Sequence, residues 1–181
     1  MKTRVTQILA IVITTLFSMT AYAESAAEID VAVSDAVKAF QEEVKGADAF
    51  LAQANGYLVF PRVIKVGIGI GGETGEGALR IGDKNVAYYR TSAGSIGFQL
   101  GAQAKSIVIV FMTKEALDKF RNSNGWKVGV DGSVALIDAG AGKSLDTSTI
   151  KDPVVGFVFG ATGLMYNLTL EGSKITKLDK K

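Results

Sequence analysis

Glycine alternates with large apolar residues in three separate stretches of this sequence, at residues 66–71, 96–101 and 155–160. Successive side chains of a β-strand point to opposite faces, so each stretch predicts a strand with one apolar face and one bare face. A glycine inside a strand costs about 0.5–1 kcal/mol relative to alanine. The repeated glycines therefore require a structural or a functional explanation.

Two explanations of the bare faces are open from the sequence. Glycine lets a small sheet twist, coil and close tightly, or lets a helix lie directly against it. Alternatively, the bare faces leave a groove that an acyl chain or a protein partner can occupy. The first explanation assigns the glycines to the fold, and the second assigns them to binding.

The segment that precedes the first glycine stretch has the periodicity of a helix. Apolar residues recur there every three or four positions, which places them on one stripe of a helix over about residues 28–45. These residues are Ile29, Val33, Val37, Phe40 and Val44. A second, short helix is predicted over about residues 48–54. A third follows Thr113, whose side chain can cap a helix that ends near Asn122.

The remaining sequence predicts strands and turns, since it carries most of the 21 glycines of the chain. Residues 82–85 have the length of a hairpin loop, and residues 73–77 are expected to form a solvated, glycine-rich turn. We therefore predict one α+β domain over residues 24–181. In it, an N-terminal helical segment (24–56) and one internal helix pack on a strongly twisted antiparallel β-sheet or partial barrel (57–181).

The first residues carry the features of a secretory signal peptide. Lys2 and Arg4 precede an apolar stretch over residues 5–19, and residues 21–23 form a small-x-small cleavage sequence. The apolar stretch is shorter than the roughly 20 residues that span a bilayer, which argues against an uncleaved anchor. We expect cleavage before Glu24 and a periplasmic or secreted mature protein.

The charge balance changes once this segment is removed. The full sequence has 20 Lys and Arg against 18 Asp and Glu, and the segment takes away Lys2 and Arg4, so that 18 bases face 18 acids. A chain of zero net charge has no global field that attracts polyanions, so we expect no nucleic-acid partner. The sequence contains no cysteine, which excludes disulfide bonds.

Catalytic and cofactor motifs are weak in this sequence. It contains neither histidine nor cysteine, so the common nucleophile–base pairs and zinc sites cannot form. Residues 67–72 match a dinucleotide-binding glycine pattern, but residues 73–77 are unsuited to opening the required helix. Residues 142–144 (GKS) resemble the end of a phosphate loop without its upstream glycine. We expect no cofactor, no metal and no catalysis, with a carboxylate pair of Glu73 and Glu76 as the hydrolytic alternative.

Basic residues near the glycine stretches are candidates for contact with lipid phosphates. Arg62 and Lys65 flank the first predicted strand, and Lys105 follows the second. We expect lipid binding where the fold brings these cations to one rim beside the bare face. The candidate lipid-binding residues are Arg62, Lys65, Lys105, Gly67, Gly69 and Gly71. Alternatively, the cations are solvated edge charges that prevent strand-to-strand aggregation.

Five blocks of sequence, in order, resemble the SYLF domain family. They are residues 58–61 (LVFP), 66–79 (VGIGIGGETGEGAL), 95–103 (SIGFQLGAQ), 125–135 (GWKVGVDGSVA) and 155–177 (VGFVFGATGLMYNLTLEGSKITK). The resemblance that these blocks carry extends over nearly all of the chain from about residue 47 onward. The chain is similar to a stand-alone, exported bacterial member of that family.

The resemblance implies a lipid-binding module, because eukaryotic members are associated with phosphoinositide membranes and some with actin. In those members a basic, amphipathic N-terminal segment is linked to membrane binding, whereas residues 24–53 here contain seven acids and two bases. From the resemblance as a whole, we predict a lipid-binding protein with phospholipid or a membrane surface as its partner. The alternative is an envelope scaffold that binds another protein, by analogy with the actin-binding members.

Overall fold

The computed structural model describes residues 24–138, 151–163, 170 and 172–180. The predicted signal peptide, the GKS sequence and most of the last predicted alternation, at residues 164–169, lie outside the described residues. No helix within the described ranges is both long and apolar enough to cross a membrane.

Three helices are present in the described residues: α1 (Ala26–Glu43), α2 (Ala47–Gln53) and α3 (Lys114–Arg121). Helix α1 begins at a capping box. The Ser25 side chain accepts from the Glu28 N–H, and the Glu28 carboxylate accepts from the Ser25 N–H at 2.7 Å. Helix α3 begins at Thr113, whose hydroxyl accepts from the Ala116 N–H at 3.2 Å. All three predicted helices are confirmed.

Two long antiparallel strands, β1 (Gly56–Ile81) and β2 (Lys84–Phe111), form the main body of the sheet. They pair along almost their whole length around a tight turn at residues 82–83, where the hairpin loop was predicted. The register shifts at three places, which are Phe60/Val63, Ile68/Ile70 and Leu79/Arg80. Such shifts bend a strand and increase its twist. The expected turn at residues 73–77 is wrong, because each of these residues pairs with β2 through its backbone.

Four shorter strands of the described chain complete the sheet: β3 (Trp126–Lys127), β4 (Ala135–Asp138), β5 (Val154–Gly163) and β6 (Lys174–Leu178). Strand β2 is central. Strand β1 lies along one side of it, while β6 and β5 pair with its first and second halves on the other side. Strands β4 and β5 are parallel, so the sheet is mixed rather than antiparallel throughout. The α+β fold with a strongly curled, partly closed sheet is confirmed.

The curled sheet separates two hydrophobic clusters, one on each face. On the convex face, α1 and α2 cover the sheet, and the Phe40 ring centroid lies 5.1 Å from that of Phe157 and 5.3 Å from that of Phe159. On the concave face, α3 closes the core, where Phe120 packs against Trp126. The apolar stripe of α1 is therefore buried against the sheet.

Glycines in β1 allow the curled hairpin to fold back on itself. A Cβ atom on Gly77 would lie 2.8 Å from the carbonyl carbon of Val59 and closer still to its oxygen. A Cβ atom on Gly75 would lie 2.5 Å from the carbonyl oxygen of Arg62. These separations are too short for nonbonded atoms, so only glycine lets the two halves of β1 cross this closely. Close backbone packing explains both glycines.

An ion cluster on the convex face joins both ends of the described chain to β1. The Glu76 carboxylate accepts from Lys180 Nζ at 2.6 Å and from Arg90 at 2.5 Å. Lys180 also donates to the carbonyl oxygen of Glu24, just before α1. Partial burial alone would raise the pKa of Glu76, but the hydrogen bonds from Lys180 and Arg90 hold this pKa below its ordinary value of 4.5.

We expect the Glu76 cluster to make part of the stability pH-dependent. Because the pKa of folded Glu76 lies below the unfolded value of 4.5, the contribution is fully present above that pH and is lost as the pH falls through the folded pKa. Glu76→Gln should lower the urea midpoint at neutral pH and have a progressively smaller effect in acid. Urea unfolding of both proteins at several pH values measures this, and a difference that does not change with pH would contradict it.

Candidate functional site at the bend of the long hairpin

The six candidate residues lie in one region of the β1–β2 hairpin, which we call the bend. It comprises residues 62–73 of β1 and 91–105 of β2, which pair across a register shift. Gly67, Gly69 and Gly71 occupy its centre, where the register shift between Ile68 and Ile70 leaves extra residues in β2. The fold brings the candidates into one region, but it distributes the three cations over both faces of the sheet.

The candidate cations do not form a single rim. Arg62 is exposed on the convex face, as expected for a solvated edge charge. Lys65 and Lys105 are only 5% and 2% exposed on the concave face, so they are not solvated edge charges. Lys65 pairs with Gln103, which makes it a diagonal neighbour of Lys105 on the same face. The expected rim of Arg62 and Lys65 is therefore replaced by one exposed cation and two enclosed ones.

Glu73 lies beside the enclosed lysines. Its Oε2 atom is 3.0 Å from Lys105 Nζ, and Glu73 itself is 8% exposed. Glu76 points to the opposite, convex face, where Arg90 and Lys180 bind it. The two carboxylates therefore do not converge into the arrangement that a hydrolytic acid–base pair requires.

Backbone fills the space beside Gly67, where a groove was one of the two expectations. A Cβ atom on Gly67 would lie 2.7 Å from Gly71 Cα and 3.1 Å from the Ile70 carbonyl oxygen. Strand β1 therefore bends so sharply that its own residues 70–71 lie directly over this glycine. Strand β1 continues through residues 67–72 to its end without opening a helix, so this glycine pattern lacks the helix start of a dinucleotide site.

Exposed apolar side chains of the bend lie on the convex face, opposite the enclosed lysines. Ile64, Val66 and Ile70 are 38%, 52% and 74% exposed. Two small residues of β2 stand opposite the first two of them. We call this surface the apolar strip, which consists of Ile64, Val66, Ile70, Ala102 and Ala104. Arg62 precedes the strip on the same face.

Sequence reasoning missed the apolar strip because it assigned binding to the glycine side of the alternation. The structure turns the glycine side inward and leaves the branched side chains outside. One feature of the sequence indicates this orientation. Arg62 shares the parity of Ile64 and Val66, and an arginine is seldom buried without a partner. That parity marks the apolar side of the alternation as the side that meets solvent.

A cavity of about 470 Å³ lies at the other end of β2, where α3 begins. Its lining includes Ala116, Trp126 and Val154, together with the acids Glu115 and Asp131. The six candidate residues are not part of this lining. The cavity and the bend are therefore separate features of the molecule.

Residues 92–181 match the family model described as "Ysc84: Las17-binding protein actin regulator". The matched segment begins in β2 within the bend and continues through β3, β4, β5 and β6, so that it includes Lys105. No curated protein matches the sequence.

Proposed function

The Ysc84 model represents the SYLF domain, and this chain therefore belongs to the SYLF domain family. From this membership we propose that it is a non-catalytic lipid-binding module that acts in the periplasm or outside the cell. In this proposal residues 1–23 direct export and are removed, and residues 24–181 fold as one domain that binds phospholipid without a cofactor. The apolar strip is the observation that carries the proposal.

The apolar strip has the properties of a surface that enters the interfacial region of a bilayer. Its three branched side chains lie at even-numbered positions on one face of β1, and Ile70 is 74% exposed. Exposed apolar surface of this kind marks contact with membranes or with other proteins. Removing such surface from water stabilises the bound state by about 25 cal/mol per Å². Apolar contact therefore provides the main attraction to lipid.

Electrostatic attraction has a secondary role in this proposal. Arg62 is exposed beside the strip and can meet a lipid phosphate, whereas Lys65 and Lys105 are enclosed. The helical segment over residues 24–53 has seven acids and two bases, which disfavours its contact with an anionic surface. We therefore expect binding that depends only weakly on salt.

Threonine at the three branched positions tests the strip. Threonine retains a high preference for strands while it removes apolar surface. The variant Ile64→Thr/Val66→Thr/Ile70→Thr should bind vesicles of phosphatidylglycerol and phosphatidylethanolamine at least about tenfold more weakly, because each methylene withdrawn from lipid costs about 0.8 kcal/mol. Vesicle flotation over a range of lipid concentrations measures the loss.

Three exposed valines outside the bend provide the matched control. Val31, Val86 and Val130 are 64%, 46% and 71% exposed. Their triple replacement by threonine should leave vesicle binding unchanged. Equal losses in the two variants, or a wild-type protein that fails to float with the vesicles, would refute lipid binding through the apolar strip.

An envelope scaffold that binds another protein is the second candidate function. The matching family is described as a Las17-binding actin regulator, and both partners in that description are proteins. An apolar strip can be buried against a protein as readily as against lipid. Cross-linking in the envelope separates the candidates: a partner that is captured by the wild type and lost in the strip variant, without vesicle binding, favours the scaffold.

A further inference from the structure

The concave side of the bend contains polar groups enclosed in an otherwise apolar core. Lys105 and Gln103 are 2% and 4% exposed. Among the residues that the structure describes, neither Lys105 Nζ nor Gln103 Oε1 has a hydrogen-bond partner. Glu73 is near enough to Lys105 to balance its charge, at 3.0 Å, but it does not lie in a hydrogen-bonding direction. Within the described residues, the enclosed ammonium therefore has an ion-pair partner but no hydrogen bond, and the enclosed carbonyl oxygen has no hydrogen bond.

These groups oppose the stability of the fold. Burying an unsatisfied donor or acceptor is destabilising, and the effect is larger when the group is charged. Val63 and Ile107 lie on the same face, next to Lys65 and Lys105 along their strands, and are 0% and 1% exposed. Apolar side chains are thus accommodated on this face, and the polar groups need a reason other than folding.

The charge balance of the cluster favours an anion. The side chains of Lys65 and Lys105 are both buried on this face, Lys105 Nζ completely, and Glu73 is the only buried acid in the described part of the chain. One positive charge is left in excess. A ligand with a single negative charge would neutralise the interior.

We propose that this cluster binds a singly charged phosphate group, which is either dihydrogen phosphate or the monoanion of a phosphate monoester. Lys105 Nζ donates to an anionic phosphate oxygen, and Gln103 Oε1 accepts from the P–O–H group. A phosphate monoester and inorganic phosphate carry both kinds of oxygen, whereas sulfate at neutral pH has no O–H to donate. The group is therefore either free phosphate or the headgroup of a lipid of the phosphatidic acid type. The inference does not rest on the apolar strip, which lies on the other face.

The ligand enters when the bend opens. Gly72 and Gly94 pair with each other there. A Cβ atom on Gly94 would meet no heavy atom of the described residues within 4 Å, and one on Gly72 would meet the Ala93 carbonyl oxygen at 3.9 Å. Neither glycine therefore contributes side-chain packing to this pair, and local opening at the pair is less costly than in the packed core.

Calorimetric titration of the purified protein with inorganic phosphate and with sulfate tests the proposal. Sulfate should bind at least about tenfold more weakly than phosphate, because it leaves Gln103 Oε1 without a partner. Lys105→Met keeps a long side chain without the ammonium, and it should weaken phosphate binding at least about tenfold. Lys84→Met, at the exposed turn of the hairpin, is the matched control and should bind phosphate as the wild type does.

A second variant protects the test against misfolding. Lys105→Met leaves the Glu73 carboxylate buried without its cation, which can prevent folding. Lys105→Met/Glu73→Gln removes both charges and should also lose phosphate binding. Circular dichroism establishes that the variants compared are folded.

Monomeric dihexanoyl phosphatidic acid separates the two sources of phosphate. Binding of inorganic phosphate identifies the free ion as a ligand, and binding of this lipid alone, lost in the Lys105 variants, identifies the headgroup. The proposal is overturned if neither binds, if folded Lys105 variants bind as tightly as the wild type, or if sulfate binds as tightly as phosphate. The strip variant should retain phosphate binding, so failure here is distinguishable from failure of the vesicle test.

Discussion

Alanine in place of Gly77 should lower the free energy of unfolding by at least about 3 kcal/mol. Its Cβ atom would lie 2.8 Å from the carbonyl carbon of Val59 and 2.9 Å from Phe60 Cα. Both obstacles are backbone atoms of a paired strand, so a change of rotamer cannot relieve the clash. The two halves of β1 must instead move apart where they cross. Urea unfolding followed by circular dichroism measures the loss.

Gly94→Ala is the matched control for this prediction. Gly94 lies in the same hairpin, and a Cβ atom there would meet no heavy atom within 4 Å in the part of the chain that the structure describes. Alanine is favoured over glycine in a strand by about 0.5–1 kcal/mol. We therefore expect unchanged or slightly higher stability. A comparable loss in both variants would show that the close crossing at Gly77 is not the cause.

Removal of the Phe120 ring should have the second large effect, a destabilisation of about 3–5 kcal/mol for Phe120→Ala. Phe120 is 2% exposed, and its ring centroid lies 4.9 Å from those of Tyr89 and Phe111 and 5.7 Å from that of Trp126. Loss of the Phe120 ring opens a cavity at the place where α3 closes the concave core. Trp126 is the only tryptophan of the sequence, so its fluorescence reports on this region directly.

An exposed residue close to Trp126 in the sequence provides the comparison. Val130 is 71% exposed, and Val130→Ala should change the stability by no more than about 0.5 kcal/mol. We expect the emission of Trp126 to shift to longer wavelength in folded Phe120→Ala and to stay unchanged in Val130→Ala. Wild-type stability in Phe120→Ala would show that α3 does not close this core.

The helices could be predicted from the sequence because their determinants are local. The apolar stripe of α1 and the cap at Thr113 are properties of residues within one or two turns of each other. Thr113 makes the predicted capping hydrogen bond at α3, and the structure adds a cap at Ser25 that begins α1. These elements therefore needed no knowledge of the rest of the chain.

The length of β1 could not be predicted in the same way. Glycine-rich residues 73–77 have the local preferences of a turn, but they pair with residues 89–93 of the returning strand. Pairing uses only backbone groups, so it tolerates the absence of side chains wherever a partner strand is in register. The partner strand is distant in the sequence, so local sequence patterns do not reveal the pairing.

The face of the sheet on which each candidate residue lies could not be predicted from the sequence either. Composition and spacing selected Arg62, Lys65 and Lys105, and all three lie in the bend. The register shift between Phe60 and Val63 changes which parity faces the core, because an extra residue turns every later side chain to the other face. The shift puts Lys65 inside, and the sequence carries no signal for it that is as clear as the glycine alternation.

The pairing of Gly56 with Phe111 at the open end of the hairpin implies an order of folding. Each pair of the hairpin can close after the pair nearer the turn at residues 82–83, so every step joins groups that are already close. Helix α1 packs mainly on β1 and also contacts Phe157 of β5, so its apolar stripe is completely covered only after that strand has joined the sheet. In the export that we propose, the chain crosses the membrane N-terminus first, and the apolar stripe of α1 would emerge before the strands that cover it. Under the same proposal, a periplasmic chaperone would bind this segment first.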